Sequence, residues 1–177
     1  MEKMILKNAD CITTVSPTLQ TMLGSKIEEQ KDKVKVLTNG FDPDNFINQA
    51  IYDSKQFVVT YIGTMTSIYP IDAFLNAFKD LIKVKPNSLF RAIGTISDDQ
   101  KNKIASLPQE NHELISYVNH KTAISYLYKT SVLLLLIPSH FSNNGIVTGK
   151  LFEYLAVGKP VLYQLPNIQI IYLLQYH

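Results

Sequence analysis

Lys150 and Glu153 stand three positions apart in the run Gly149-Lys150-Leu151-Phe152-Glu153-Tyr154-Leu155-Ala156-Val157-Gly158-Lys159-Pro160-Val161-Leu162. On a helix that spacing projects a cation and a carboxylate from nearly the same face. A helix starting near Gly149 would present them at its N-terminus, where unpaired N–H groups and a partial positive charge attract phosphate. A lysine there neutralises phosphate oxygens, and a carboxylate accepts hydrogen bonds from ribose or sugar hydroxyls, so the pair suits a nucleoside diphosphate. An ordinary exposed helical ion pair has the same spacing. Gly158 should stop this helix, and Pro160 enforces extended backbone ahead of a strand through Val161.

Three loops qualify as further walls of such a site. Gly63-Thr64-Met65-Thr66 could bring backbone amides and two hydroxyls to phosphate, since glycine allows close approach, or be a plain turn. Val118-Asn119-His120 ends a strand and offers main-chain groups, with the His120 side chain read as a helix-start residue at the surface. Ser142-Asn143-Asn144-Gly145-Ile146-Val147-Thr148 is polar, contains Gly145 and runs into the Lys150 helix, so the diphosphate is expected against the amides of Thr148, Gly149 and Lys150.

These residues must be held by a scaffold, and the chain alternates strand and helix throughout. Cys11-Ile12-Thr13-Thr14-Val15 reads as a β-branched strand, and Ser16-Pro17 as an N-cap with proline at the first helical position. Lys33-Val34-Lys35-Val36-Leu37 alternates as a half-covered strand would, closed by Asn39-Gly40. A polar run over 48–56 reads as a linker. Strands are then expected at Phe57–Ile62, Leu89–Gly94, Glu113–Val118, Val132–Ile137 and Pro160–Tyr163. Helices should lie between them, the first starting at Pro70 with Ile71, Phe74, Leu75, Phe78, Leu81 and Ile82 at helical spacing. This order calls for an α/β fold, a Rossmann-like parallel sheet with helices on both faces, which binds ligands beyond the carboxyl ends of its strands.

The segment around Glu153 resembles the donor-binding segment of retaining GT-B glycosyltransferases of the family 4, or group 1, type. In that family a glutamate on this helix binds the nucleotide ribose, followed by small residues and a Gly-x-Pro-Val strand; Glu153, Ala156, Gly158, Pro160 and Val161 fall on those places. Ala9 to Ser16 and Asn39 to Phe46 are similar to segments at the end of the family's N-terminal domain. The resemblance implies that residues 1–47 are the end of an acceptor domain whose bulk is absent. It makes 48–177 a nucleotide-sugar-binding domain, the C-terminal half of a GT-B fold, incomplete at its carboxyl end. It implies transfer of a hexose from a nucleoside diphosphate sugar to a glycan or lipid-linked acceptor. Gly63, Thr64, Val118, His120, Gly145, Thr148, Gly149, Lys150 and Glu153 then bind donor, with Lys150 as the catalytic countercharge. The sequence departs from the family where Gly145 replaces a first glutamate eight positions before Glu153, and where Thr64 and Tyr69 replace an arginine and a lysine. A truncated, non-catalytic nucleotide-sugar-binding module is the alternative, with a nucleotide-sugar epimerase behind it. The chain alone is expected to bind donor weakly and turn over poorly.

Composition limits the remaining classes. The chain has 177 residues, 46% of them hydrophobic and 18% charged, enough for one good core. A net charge of +2 with scattered lysines carries no nucleic-acid footprint. Arg91 is the single arginine, so a phosphate grip would come from lysine or backbone amides. Cys11, in a β-branched run, is expected to be a buried, inert thiol, and a lone cysteine fits a reducing cytoplasm. No apolar run nears the roughly 20 residues of a membrane span, and the N-terminus lacks a signal-peptide core. The expectation is a cytoplasmic protein, with peripheral contact at the inner membrane left open. No spacing of His, Cys and carboxylates reads as a metal site, and no cofactor is expected beyond the donor substrate. The uncharged run 167–177 should either pack on the sheet or stand as an exposed apolar liability.

Overall fold

The computed structural model describes residues 1–46, 55–138 and 148–164, and the backbone of 171–174. Gly145, the rest of the 139–147 loop and most of the expected 48–56 linker lie outside the described residues. The chain divides into two compact units, Met1–Phe41 with Phe141–Phe152, and Asp42–His140 with Glu153–His177.

The first unit opens with helix α1 (Glu2–Asn8), followed by β1 (Ile12–Thr14), α2 (Pro17–Gly24), a 3-10 turn over Glu28–Lys33, and β2 (Val34–Val36). The two strands pair in parallel, with Ile12 opposite Val34. Ser16 caps α2 as expected: its side chain accepts from the Leu19 amide at 3.2 Å, with Pro17 at the first helical position. Leu6, Ile27 and Val34 form a small core, against which Ile12 and Leu23 pack. Cys11 corrects the sequence reading, because it is exposed. The strand starts at Ile12, and Cys11 shares parity with exposed Thr13, not with buried Thr14.

The second unit is a six-stranded sheet in the order β5-β4-β3-β6-β7-β8. Its elements are β3 (Phe57–Ile62), α3 (Asp72–Val84), β4 (Ser88–Ile93), α4 (Asp98–Ile104), β5 (His112–Ile115), α5 (His120–Tyr128), β6 (Val132–Leu136), α6 (Gly149–Val157), β7 (Val161–Gln164) and β8 (Ile171–Leu174). Helix α6 crosses the division between the units, its first four residues grouping with the first and Glu153 onward with the second. The strands from β5 to β7 are parallel, as expected. The edge departs from an all-parallel sheet, because β8 runs antiparallel to β7, with Leu162 opposite Leu173. A connection of six residues is too short for the crossover a parallel pair requires, so the chain returns antiparallel.

Alternation within the strands sends neighbouring residues to opposite faces, and both faces are covered. Phe90 is fully buried among Phe74 and Phe78 of α3, with ring centroids 4.7 and 6.1 Å away. The next residue, Arg91, turns to the other face, where its guanidinium lies 5.1 Å from the Tyr126 ring of α5 and its Nε donates to Glu113 at 2.7 Å. The lone arginine therefore braces β4 to β5 and α5. Leu133, Leu134, Leu135 and Leu136 are all buried, as a central strand covered on both faces requires. The corner after β3 is locked to the corner after β4. Gly63 and Gly94 have φ of 135° and 126°, and a Cβ on Gly94 would overlap the Gly63 carbonyl oxygen and lie 2.9 Å from its carbon.

Candidate functional site

The order of strands changes direction between β3 and β6, since the chain proceeds from β3 outward through β4 and β5 and then returns to the other side of β3. At such a switch point the loops leaving the two central strands separate and form a crevice beyond their carboxyl ends. The residues that follow β3 and β6 are the candidates to line it.

Tyr154 anchors α6 at this point. It is fully buried; its hydroxyl accepts from the Ile62 amide at the end of β3 at 3.3 Å and donates to the Leu134 carbonyl of β6 at 3.4 Å. Burial raises its pKa, and that of buried Tyr61, so both remain neutral phenols that can donate. One residue before this anchor stands the half-buried Glu153. Its Oε1 accepts from His120 Nε2 at 3.1 Å. A carboxylate only accepts, so the facing ring nitrogen must carry the proton. His120 is itself placed by the start of α5, where the Asn119 side chain caps the helix by accepting from the Thr122 amide at 2.9 Å.

The structure thus gives His120 a role that sequence reading missed. It is a helix-start residue at the surface, as expected, but its side chain holds Glu153 across 33 positions of sequence. No local signal reports that pairing, which arises because α5 and α6 cover the same face. Val118 is half-buried in the same β5–α5 loop, and Tyr117 beside it is 80% exposed. Gly149 and Lys150 open α6, and Gly158, with φ of 69°, ends it as the sequence predicts. Thr148 precedes α6; its carbonyl accepts from the Leu151 amide at 3.1 Å, and its buried hydroxyl has no hydrogen-bond partner among the described residues.

The Gly63–Thr66 loop is corrected in one respect. The Gly63 amide donates to the Ile93 carbonyl at 2.8 Å and the Met65 amide to the Thr95 carbonyl at 2.9 Å, while Met65 is fully buried. Those amides extend the sheet and are not offered to phosphate. Tyr61 Oη donates to the Thr64 carbonyl at 2.6 Å, and the Gln100 side chain donates to the carbonyls of Thr66 and Tyr69 at 2.9 and 3.1 Å. Thr64 and Thr66 are the exposed residues of this loop. Among the described residues no group of three His, Cys, Asp or Glu side chains could hold a metal ion, and no helix is long and apolar enough to cross a membrane.

The parallel sheet with helices on both sides matches a GT-B Rossmann-like half in fold. The chain is similar to a sucrose-phosphate synthase from Thermosynechococcus elongatus, with a TM-score of 0.70 and 20% identity over 92% of this chain and 42% of that one. It is also similar to the Anabaena protein HepE, solved in complex with UDP-glucose, at a TM-score of 0.67 and 14% identity over 92% of this chain and 49% of that one. The pneumococcal O-GlcNAc transferase GtfA, in complex with UDP and GlcNAc, matches at a TM-score of 0.66 and 14% identity over 92% of this chain and 31% of that one. The chain spans less than half the length of each of these structures. No family model matches the sequence, and no curated protein matches it.

Proposed function

We propose that this chain is the donor-binding part of a glycosyltransferase that moves a hexose from a nucleoside diphosphate sugar to a glycan or lipid-linked acceptor, with retention at the anomeric carbon. The observation that carries the reading is the placement of Glu153. Its backbone is secured through Tyr154 to the ends of β3 and β6, and its carboxylate is held by His120 at the switch point of a parallel sheet. UDP or UDP-glucose bound to structural neighbours supports a nucleotide ligand for this fold. In this reading Glu153 accepts from ribose hydroxyls, and the main chain near Val118 meets the base. The start of α6, with the amides of Thr148 and Gly149 and the Lys150 ammonium, meets the diphosphate. Departure of the diphosphate builds negative charge at that helix end, where an N-terminus and a lysine stabilise it as it develops. Residues 1–47 are assigned to the acceptor side and 48–177 to the donor domain. The protein is assigned to the cytoplasm, with peripheral contact at the inner membrane where the acceptor is lipid-linked.

The test is calorimetric titration and thermal shift with UDP, GDP and ADP on the unaltered chain, Glu153→Ala and Lys150→Ala. One nucleotide should stabilise the unaltered chain by about 2.7 kcal/mol when present at about 100 times its Kd, since a ligand that binds only the folded state raises its stability. Both variants should lose most of that response. Silence of the unaltered chain toward all three nucleotides would replace this reading with that of a module that keeps the fold and binds no donor.

A further inference from the structure

We infer that His120 is a positioning residue for the Glu153 carboxylate and that it thereby sets the preference of this site for a nucleotide with free 2′ and 3′ hydroxyls. The inference rests on the donor-site reading above and adds to it the residue that orients the ribose acceptor. The geometry has three parts. The Glu153 backbone cannot shift, because the adjoining Tyr154 is buried and hydrogen-bonded to both central strands. The backbone at His120 is set by the start of a helix that Asn119 caps. Between them the Nε2–H donates to Oε1 at 3.1 Å, which favours one orientation of the carboxylate over the others.

Magnitude separates this role from a purely structural one. The side chains of His120 and Glu153 are 52% and 36% exposed. Pairs at that exposure contribute roughly 0–1 kcal/mol to stability, so loss of the imidazole should leave the fold nearly untouched. Binding responds differently. A carboxylate free to rotate must be ordered each time it meets a ribose diol, and ordering a side chain lowers affinity by about threefold to tenfold. A glutamine at 120 also carries an N–H donor and can restore part of the constraint.

The experiment measures Kd for UDP, GDP and ADP, each against its 2′,3′-dideoxy form, with the 177-residue chain, His120→Ala, His120→Gln, Glu153→Gln and the double variant His120→Ala/Glu153→Gln. His120→Ala should weaken the preferred ribonucleotide about threefold to tenfold, leave the dideoxy form within about a factor of two, and shift the melting temperature little. His120→Gln should recover part of the ribonucleotide affinity. In the Glu153→Gln background, removing His120 should add nothing, because the group it orients has changed. Equal weakening of ribo and dideoxy forms by His120→Ala, or unchanged ribonucleotide affinity, would overturn the inference while leaving the donor site standing. Should His120→Ala fail to fold, His120→Gln and Glu153→Gln still decide: a ribonucleotide preference lost in the first as fully as in the second overturns it. Failure of the unaltered chain to bind any of the six nucleotides overturns the donor-site reading itself, and is recognised because no variant is needed to see it.

Discussion

The corner after β3 and the start of α6 are built to opposite specifications. At the corner the amides of Gly63 and Met65 are committed to the neighbouring β4 segment, the carbonyls of Thr64, Thr66 and Tyr69 accept from Tyr61 and Gln100, and Gly94 leaves no room for a side chain. At the helix start, Gly149 is exposed and, among the described residues, has nothing within 4 Å of where a Cβ would stand. Four residues on, Glu153 is half-buried and accepts from His120. The difference separates a corner whose amides and carbonyls are committed to holding its geometry from a helix start where a side chain at Gly149 would find room. A glycine in the first is demanded by packing, whereas one in the second leaves space in front of a helix terminus.

The sharpest way to break this comparison is Gly94→Ala. It forces an alanine to a φ of 126° and drives its Cβ into the Gly63 carbonyl, so a loss of about 3 kcal/mol or more is expected from backbone strain and overlap together. A urea midpoint unchanged from that of the parent would show that the corner is not rigid. Tyr154→Phe comes next. It removes a hydroxyl serving both the Ile62 amide and the Leu134 carbonyl, and should cost about 1–3 kcal/mol. It should also alter the alkaline response. Tyr61 and Tyr154 have pKa values raised by burial above those of the unfolded chain, so the stability they contribute is complete below about pH 10 and falls as pH rises beyond it. Tyr154→Phe should reduce that alkaline slope, and equal slopes in the two proteins would remove the argument for a buried neutral phenol. The smallest effect belongs to Gly149→Ala, which should change stability by less than about 1 kcal/mol, in the stabilising direction if either, because alanine favours the helix. Its nucleotide affinity should nevertheless fall, and an unchanged affinity would place the diphosphate away from this helix end.

Much of the scaffold was legible along the chain because each element announces itself over a few residues. The apolar run of β6, the helical spacing of Phe74, Leu75 and Phe78, the Ser16-Pro17 cap and the Gly158 stop all depend on local geometry, and the structure has each of them. Boundaries moved slightly: the helix expected at Pro70 begins at Asp72, and the strand expected at 113–118 spans His112–Ile115. Exposure of Cys11 was misjudged because a three-residue strand has too few residues for composition to reveal which face is covered. The site was legible only in outline. Glu153 and Lys150 could be singled out by spacing on one helix, yet no pattern in the chain distinguishes the amides of Gly63 and Met65, used by the sheet, from amides left to a ligand.

What the sequence determined by itself is therefore the order of strands and helices, the faces they bury and the helix that carries Lys150 and Glu153, all consequences of periodicity and local backbone preference. Tertiary structure alone decided the antiparallel edge at β8, the use of Arg91 as a brace between strands, the closing of the Gly63 corner against Gly94, and the meeting of His120 with Glu153. Each of these depends on which elements become neighbours. That follows from strand order and crossover direction, and short-range sequence patterns carry no record of a contact between residues 33 positions apart.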